Sequence, residues 1–159
     1  TSLTTLGWMY KTANPNADNA SMFGFGKNNL WGPVLEPMYF NTNWPSEFSN
    51  KPWVMLFNYD PMEYLSTWCI SMNNNEWVHF AATYDVSTRV CTLYVNWIQA
   101  WQYTSSTTNV TNMLWMSRKY DMDRSWRGYM SNVIFEDKLW TATEISDYVN
   151  LTKSNYWIS

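Results

Sequence analysis

The stretch Trp77-Val78-His79-Phe80-Ala81-Ala82-Thr83-Tyr84-Asp85, followed after a short polar link by Val90-Cys91-Thr92-Leu93-Tyr94-Val95-Asn96, decides the fold. Val78, Phe80, Ala82 and Tyr84 alternate with Trp77, His79, Ala81 and Thr83, the period of two that an extended strand with one apolar face requires. In the second row Cys91, Leu93 and Val95 oppose Thr92, Tyr94 and Asn96. Joined by Val86-Ser87-Thr88-Arg89, the two rows predict a β-hairpin.

Outward from the hairpin, β-branched and aromatic segments recur near 4–11, 20–26, 36–41, 53–58, 63–71, 98–103, 112–118 and 128–136, set apart by Asn, Pro, Ser and Asp clusters. That spacing predicts an all-β, antiparallel two-sheet sandwich of jelly-roll type. The stretch from Trp31 to Pro52, with Pro33, Pro37 and Pro45 between, predicts long surface loops around a short strand. One helix is signalled near the end. Thr141-Ala142-Thr143-Glu144 has the form of a capping box, and Ile145, Tyr148 and Val149 follow at i, i+3 and i+4, so a short amphipathic helix should lie against the sheet. No repeat, low-complexity tract or linker divides the chain, and residues 1–159 read as one domain.

Composition narrows the function classes. The 159 residues are 46% hydrophobic and 14% charged, with formal net charge −3, which suits one globular domain. Ten Lys and Arg, scattered and outnumbered by thirteen acids, argue against nucleic acid. No window approaches the roughly 18 apolar residues of a membrane span, and no signal-peptide pattern opens the chain, which begins with Thr and reads as mature or excised. Asn19, Asn109 and Asn150 each start an Asn-x-Ser/Thr pattern, as suits a secreted or surface protein. Three counts stand out: 12 Trp, 10 Met and only 5 Gly. So few glycines matter in a chain of many tight turns.

The ordered motifs Trp77 to Asp85, Leu93-Tyr94-Val95-Asn96, Leu114 to Arg118, Gly128-Tyr129-Met130-Ser131-Asn132-Val133, Leu139 and Thr141 to Ile145 resemble the laminin G-like and pentraxin-like branch of the concanavalin A-like lectin/glucanase superfamily. That family's pattern runs W-x-H-x-A-x-x-Y-D, L-Y-V-N/D-G, I-G, G-x-I-D-x-V and L-x-x-x-E-I. The match is close from Trp77 to Ile145 and looser before it, where Leu3 to Lys11 resembles an early strand bearing a tryptophan, here Trp8. The resemblance implies a further strand before that one, so the chain is expected to begin inside its domain. It implies fold more than function, because this fold hosts lectins, adhesion modules, glucanases and structural domains. Three positions depart from the pattern. Trp97, Val86 and Ser117 stand where the family has small turn residues. A two-residue hairpin turn needs positive φ at both central positions, at a cost of order 1 kcal/mol for a bulky side chain. Longer, rebuilt turns would avoid that cost.

Glucanases on this fold carry carboxylates at alternate positions of one strand, about 5 Å apart. Glu36, Glu47, Glu63, Glu76, Glu136 and Glu144 form no such run, and the only histidine, His79, matches a residue that is structural in the family. No catalytic residue is expected. Calcium is a candidate cofactor, because related domains hold it in rim loops through oxygen ligands. The best cluster is Asp121 and Asp123, with Asp18 and Asn19 a second contributor, although Arg118, Lys119, Arg124 and Arg127 could simply pair with the two acids. Glycan binding needs an aromatic platform beside polar groups. Trp31, Tyr39, Asn41 and Trp44 in the Pro-rich loops have that mixture, as do Trp97, Trp101 and Tyr103 after the hairpin.

Two cysteines are too few for a disulfide scaffold. If the strands holding Cys69, Trp77 and Cys91 form a simple meander, the two cysteines are about 9–10 Å apart, beyond the roughly 7 Å limit for a bridge, and free thiols are expected. The combined expectation is a non-catalytic module that binds a glycan or a protein surface on a cell, a secreted protein or a virus particle. The alternative is a structural block of a larger assembly, with exposed Trp and Met at subunit contacts.

Overall fold

The computed structural model describes residues 2–12, 20–21, 23–26, 34–39, 52–57, 62–65, 73–104, 114–116 and 127–156. In chain order the elements are β1 (Leu3–Lys11), β2 (Ala20–Ser21), β3 (Phe23–Gly26), β4 (Val34–Tyr39), β5 (Pro52–Phe57), β6 (Met62–Leu65), β7 (Trp77–Asp85), β8 (Val90–Val95), β9 (Ile98–Thr104), β10 (Leu114–Met116), β11 (Gly128–Glu136) and α1 (Ala142–Thr152), which runs on into a 3-10 turn at Lys153–Tyr156. The strands form two antiparallel sheets. One has the order β11-β1-β7-β8-β9, and the other β10-β3-β4-β5-β6, with β2 paired to β4.

The expected hairpin is present, with Phe80↔Val95 to Asp85↔Val90 in register. The strand on the other side of β7 is β1, paired from Leu3↔Tyr84 to Tyr10↔Trp77 without a break. This corrects the meander on which the cysteine distance rested, because β6 pairs with β5 in the other sheet. Cys91 is nonetheless a free, buried thiol, and burial raises its pKa; Cys69 lies outside the described residues. In the Pro-rich stretch β4 accommodates Pro37 because the ladder on one side changes register between Ser21↔Met38 and Phe25↔Leu35. A missing N–H is tolerated at such a break.

The inner face of the five-stranded sheet carries Leu3, Met9, Val78, Phe80, Ala82, Tyr84, Cys91, Leu93 and Val95, all buried in one cluster. The second sheet lies against this side, with β3 close to β1 and β11, β4 close to β7 and β5 close to β8. The outer face is not the polar face that alternation predicts. His79, Ala81 and Thr83 are as buried as their neighbours, and α1 covers the first two, with Tyr148 against His79 and Ile145 against Ala81. Leu6, Ala81 and Tyr94 pack on Ile145, and Trp8 packs on Val149 and Tyr156.

The capping box predicted from the sequence forms. The Glu144 N–H donates to Thr141 Oγ1 at 3.2 Å, and the Thr141 N–H donates to the Glu144 carboxylate at 2.7 Å. Polar tethers fix the helix to the sheet. The buried Thr4 hydroxyl donates to the Lys138 carbonyl at 2.6 Å and accepts from the Trp140 N–H at 3.0 Å. Trp8 Nε1 donates to Thr152 Oγ1 at 3.0 Å, and the Tyr156 hydroxyl donates to Ser131 Oγ at 2.8 Å. The Tyr148 hydroxyl reaches the carbonyl of Asn132, which sits at φ 49° in a bulge where β11 slips by one residue against β1. Asn is among the few side chains that enter this region at low cost.

Candidate functional site

The two turns flanking β8 are built differently. Between Asp85 and Val90 four residues close the hairpin, and positive φ falls on Arg89 at 60°, not on Val86. The missing glycine at 86 therefore costs nothing. The Asp85 carboxylate organises this turn, accepting from the Ser87 N–H at 2.9 Å and from the hydroxyls of Ser87 and Thr88, both at 2.7 Å. Those bonds, led by the Ser87 hydroxyl, hold its pKa down to about 2.

Between Val95 and Ile98, which pair directly, only Asn96 and Trp97 remain, at φ 47° and 65°. The turn has not been rebuilt. It is the two-residue form with both residues left-handed, and its second position holds a tryptophan. Asn96 suits its place, since its Oδ1 accepts the His79 N–H and its own N–H donates to the His79 carbonyl, both at 2.9 Å. Trp97 has no comparable local compensation and carries the order of 1 kcal/mol that a left-handed bulky residue costs. Its ring lies under Lys153 Nζ at 5.6 Å from the centroid, and the residue stays 36% exposed.

The other residues expected to bind ligand are placed as follows. Tyr103 is half-buried against the inner core, on the opposite side of the sheet from Trp97 with its Lys153 contact, so these two do not share a platform. Trp101 pairs with Leu93 in β9, and Tyr39 ends β4 opposite Pro52. Trp31, Asn41, Trp44, Asp121 and Asp123 lie outside the described residues. Among the described residues no group of three His, Cys, Asp or Glu could hold a metal, and no helix is long and apolar enough to cross a membrane.

His79, Glu136 and Glu144 have structural tasks. His79 is fully buried, meets Trp8 edge-on at 5.1 Å between centroids, and has no hydrogen-bond partner on either ring nitrogen. Burial drives its pKa down to about 3, so it stays neutral. Glu136 accepts from Trp140 Nε1, while Glu144 serves the helix cap and pairs with Lys138 at 2.5 Å. The Lys138 bond is the main cause of the Glu144 pKa falling to about 2.

Sequence reading missed one constellation. Tyr10 of β1 pairs with Trp77 on one side and Tyr129 on the other, giving a row of three aromatic rings across three strands. Centroids are 5.3 Å apart for Tyr10–Trp77 and 5.8 Å for Tyr10–Tyr129. Tyr129 is 63% exposed. The row continues the aromatic stack of Trp8, Tyr156 and Trp77 out from under the 3-10 turn. Register was the missing information, because the three residues come from distant segments.

A laminin G family model, of the concanavalin A-like lectin/glucanases superfamily, matches residues 1–146. The chain belongs to that superfamily. No curated protein sequence matches it. Among solved structures, domain 4 of AbnA, an extracellular arabinanase of Geobacillus stearothermophilus seen in complex with arabinotriose, aligns with TM-score 0.69 at 14% identity over 93% of this chain and 66% of that one. A sialidase of Trypanosoma rangeli in complex with 2,3-difluorosialic acid gives TM-score 0.70 at 12% identity, over 96% of this chain and 23% of the sialidase. The heptameric SAP-like pentraxin of Limulus polyphemus gives 0.57 at 13%, over 93% and 69%. The chain thus spans less than two thirds of the arabinanase domain and under a quarter of the sialidase. Identities this low establish shared fold. Where the pattern L-Y-V-N-G has its glycine, this chain holds Trp97 at φ 65°.

Proposed function

We propose that this domain is a non-catalytic carbohydrate-recognition module in which Trp97 stacks on the apolar face of a sugar residue. The observation that carries the reading is the turn itself. A tryptophan held left-handed and partly exposed lowers stability where glycine would not, and such strain concentrates at sites of binding or catalysis. Lys153 fixes the indole by a cation–π contact, which reduces the ordering cost when a ligand arrives. Asn96 and Gln99 beside it offer amide groups to sugar hydroxyls. The superfamily includes lectins, and the similar arabinanase domain was seen with arabinotriose, which supports a saccharide ligand. Asp85, Glu136, Glu144 and His79 are spent on a turn, a helix cap and packing, which supports a non-catalytic role. Asp121 and Asp123 would supply oxygen ligands if calcium orders the neighbouring loops, and a module of this kind would work at a cell or secreted surface.

A glycan array probed with the wild-type domain and Trp97→Gly, each in calcium and in EDTA, tests the reading. Wild-type protein should label a defined set of saccharides, and Trp97→Gly should lose that labelling while remaining folded. Labelling of no saccharide by the wild type, or equal labelling by the variant, overturns it; loss in EDTA assigns calcium a part.

A further inference from the structure

We propose that the end of the outer face of the five-stranded sheet is a second carbohydrate site, which holds the interior of an extended polysaccharide chain across β11, β1 and β7. The reading shares with the Trp97 site the chemistry of its ligand and none of its residues, so the two fail separately.

The row Tyr129–Tyr10–Trp77 is set by strand pairing, so it runs perpendicular to the strands, with ring centroids 5.8 and 5.3 Å apart. The ring planes are inclined by 42° between Tyr10 and Tyr129 and by 55° between Tyr10 and Trp77. These angles exceed the roughly 20–25° of sheet twist between neighbouring strands, so side-chain torsions turn the rings further, and the row offers faces at different angles to a chain whose successive sugar residues rotate about its axis. A single terminal sugar would engage one ring. Three in line match consecutive residues. The 3-10 turn covers one end of the row, where Tyr156 stacks on Trp8 and leans on Trp77. Tyr129 at the sheet edge is left 63% exposed.

One step further along β1 and β11, Thr12 and Arg127 are exposed and joined by the Thr12 N–H donating to the Arg127 carbonyl at 3.0 Å. Alternation returns both to the face of Tyr10 and Tyr129. The exposed turn before Trp77 adds Asn75. A hydroxyl, a guanidinium and an amide beside an aromatic row suit the hydroxyl-lined edge of a sugar chain. An apolar protein surface would instead have to desolvate Arg127 without a partner.

Affinity gel electrophoresis of the wild-type domain in gels containing hydroxyethylcellulose, soluble xylan or linear arabinan tests the site, alongside Tyr129→Ala, Arg127→Ala and, as a control on the exposed side of α1, Leu151→Ala. The wild type should be retarded by at least one polymer, Tyr129→Ala should weaken that retardation about tenfold and Arg127→Ala severalfold, and Leu151→Ala should retain it. Free monosaccharide should not compete. Both substituted side chains are exposed, and an unchanged thermal midpoint confirms folding. Retardation by none of the three polymers, or equal retardation of Tyr129→Ala and wild type, overturns the proposal.

Discussion

The turns at either end of β8 solve one problem in opposite ways. Both must reverse the chain within a few residues, and both place non-glycine residues at positive φ. At Asp85–Val90 the backbone cost at Arg89 is set against a fan of hydrogen bonds to one carboxylate. At Asn96–Trp97 the asparagine is similarly rewarded by its bonds to His79, while the tryptophan is not. Compensated strain is ordinary structure. Strain on a partly exposed aromatic that makes no hydrogen bond within its turn and only a Lys153 contact beyond it points to a purpose outside the fold.

The contrast can be broken most severely at Asn96. Replacement by Ala leaves the buried His79 N–H without its acceptor and removes the side-chain amide that lets a non-glycine residue hold φ 47° at low cost. A loss of about 2–3 kcal/mol is expected in urea unfolding; a loss below about 0.5 kcal/mol would mean that the bonds to His79 contribute little.

Acid attacks the residue against which that turn closes. The folded pKa of His79, about 3, lies below its unfolded value of 6.5, so the unfolded chain takes up the proton first and stability falls as pH drops below 6.5. The slope approaches about 1.4 kcal/mol per pH unit. Between about pH 6 and 4.5, before carboxylates titrate, the only histidine should dominate the curve. His79→Phe, which removes both unpartnered nitrogens, should flatten it, and an unchanged slope in that variant would contradict the assignment.

At the other turn Asp85→Ala should cost about 1 kcal/mol, the scale of an exposed capping interaction, read as a small downward shift in thermal midpoint. That loss should shrink for the wild type as pH falls toward 2, because the folded carboxyl near 2 is depressed and its contribution exists only while it is ionised. If Asp85→Ala costs more than Asn96→Ala, the ranking of the two turns is reversed.

Much of this fold is legible in local pattern. Alternation in Trp77–Asp85 and Val90–Val95 marks the hairpin, and Thr141 with Glu144 marks the start of the helix, because both signals sit within a few residues of the structure they specify. Neighbours in the sheet are not local. That β1 inserts between β7 and β11 follows from closing a core over the whole chain, and the meander assumption for Cys69 and Cys91 failed there. Alternation likewise identified Trp77, His79 and Thr83 as one face but not that α1 would cover part of it, since the covering element arrives some sixty residues later. The strained turn was half legible. A missing glycine is visible at both 86 and 97, yet only the backbone shows that the first turn moved its left-handed residue to Arg89 while the second left it on tryptophan. The row of Tyr10, Trp77 and Tyr129 required registers that no single segment contains.

The central claim is that Trp97 is kept at a cost to the fold for the sake of a ligand, and one paired measurement on Trp97→Gly tests it most directly. Trp97→Gly and Trp97→Ala both lose the indole and its Lys153 contact, and only glycine relieves the left-handed cost, so Trp97→Gly should be about 1 kcal/mol more stable than Trp97→Ala, while binding to the saccharides recognised by the wild type on the array should be lost. A glycine variant no more stable than the alanine variant, or one that binds those saccharides equally well, would contradict the account.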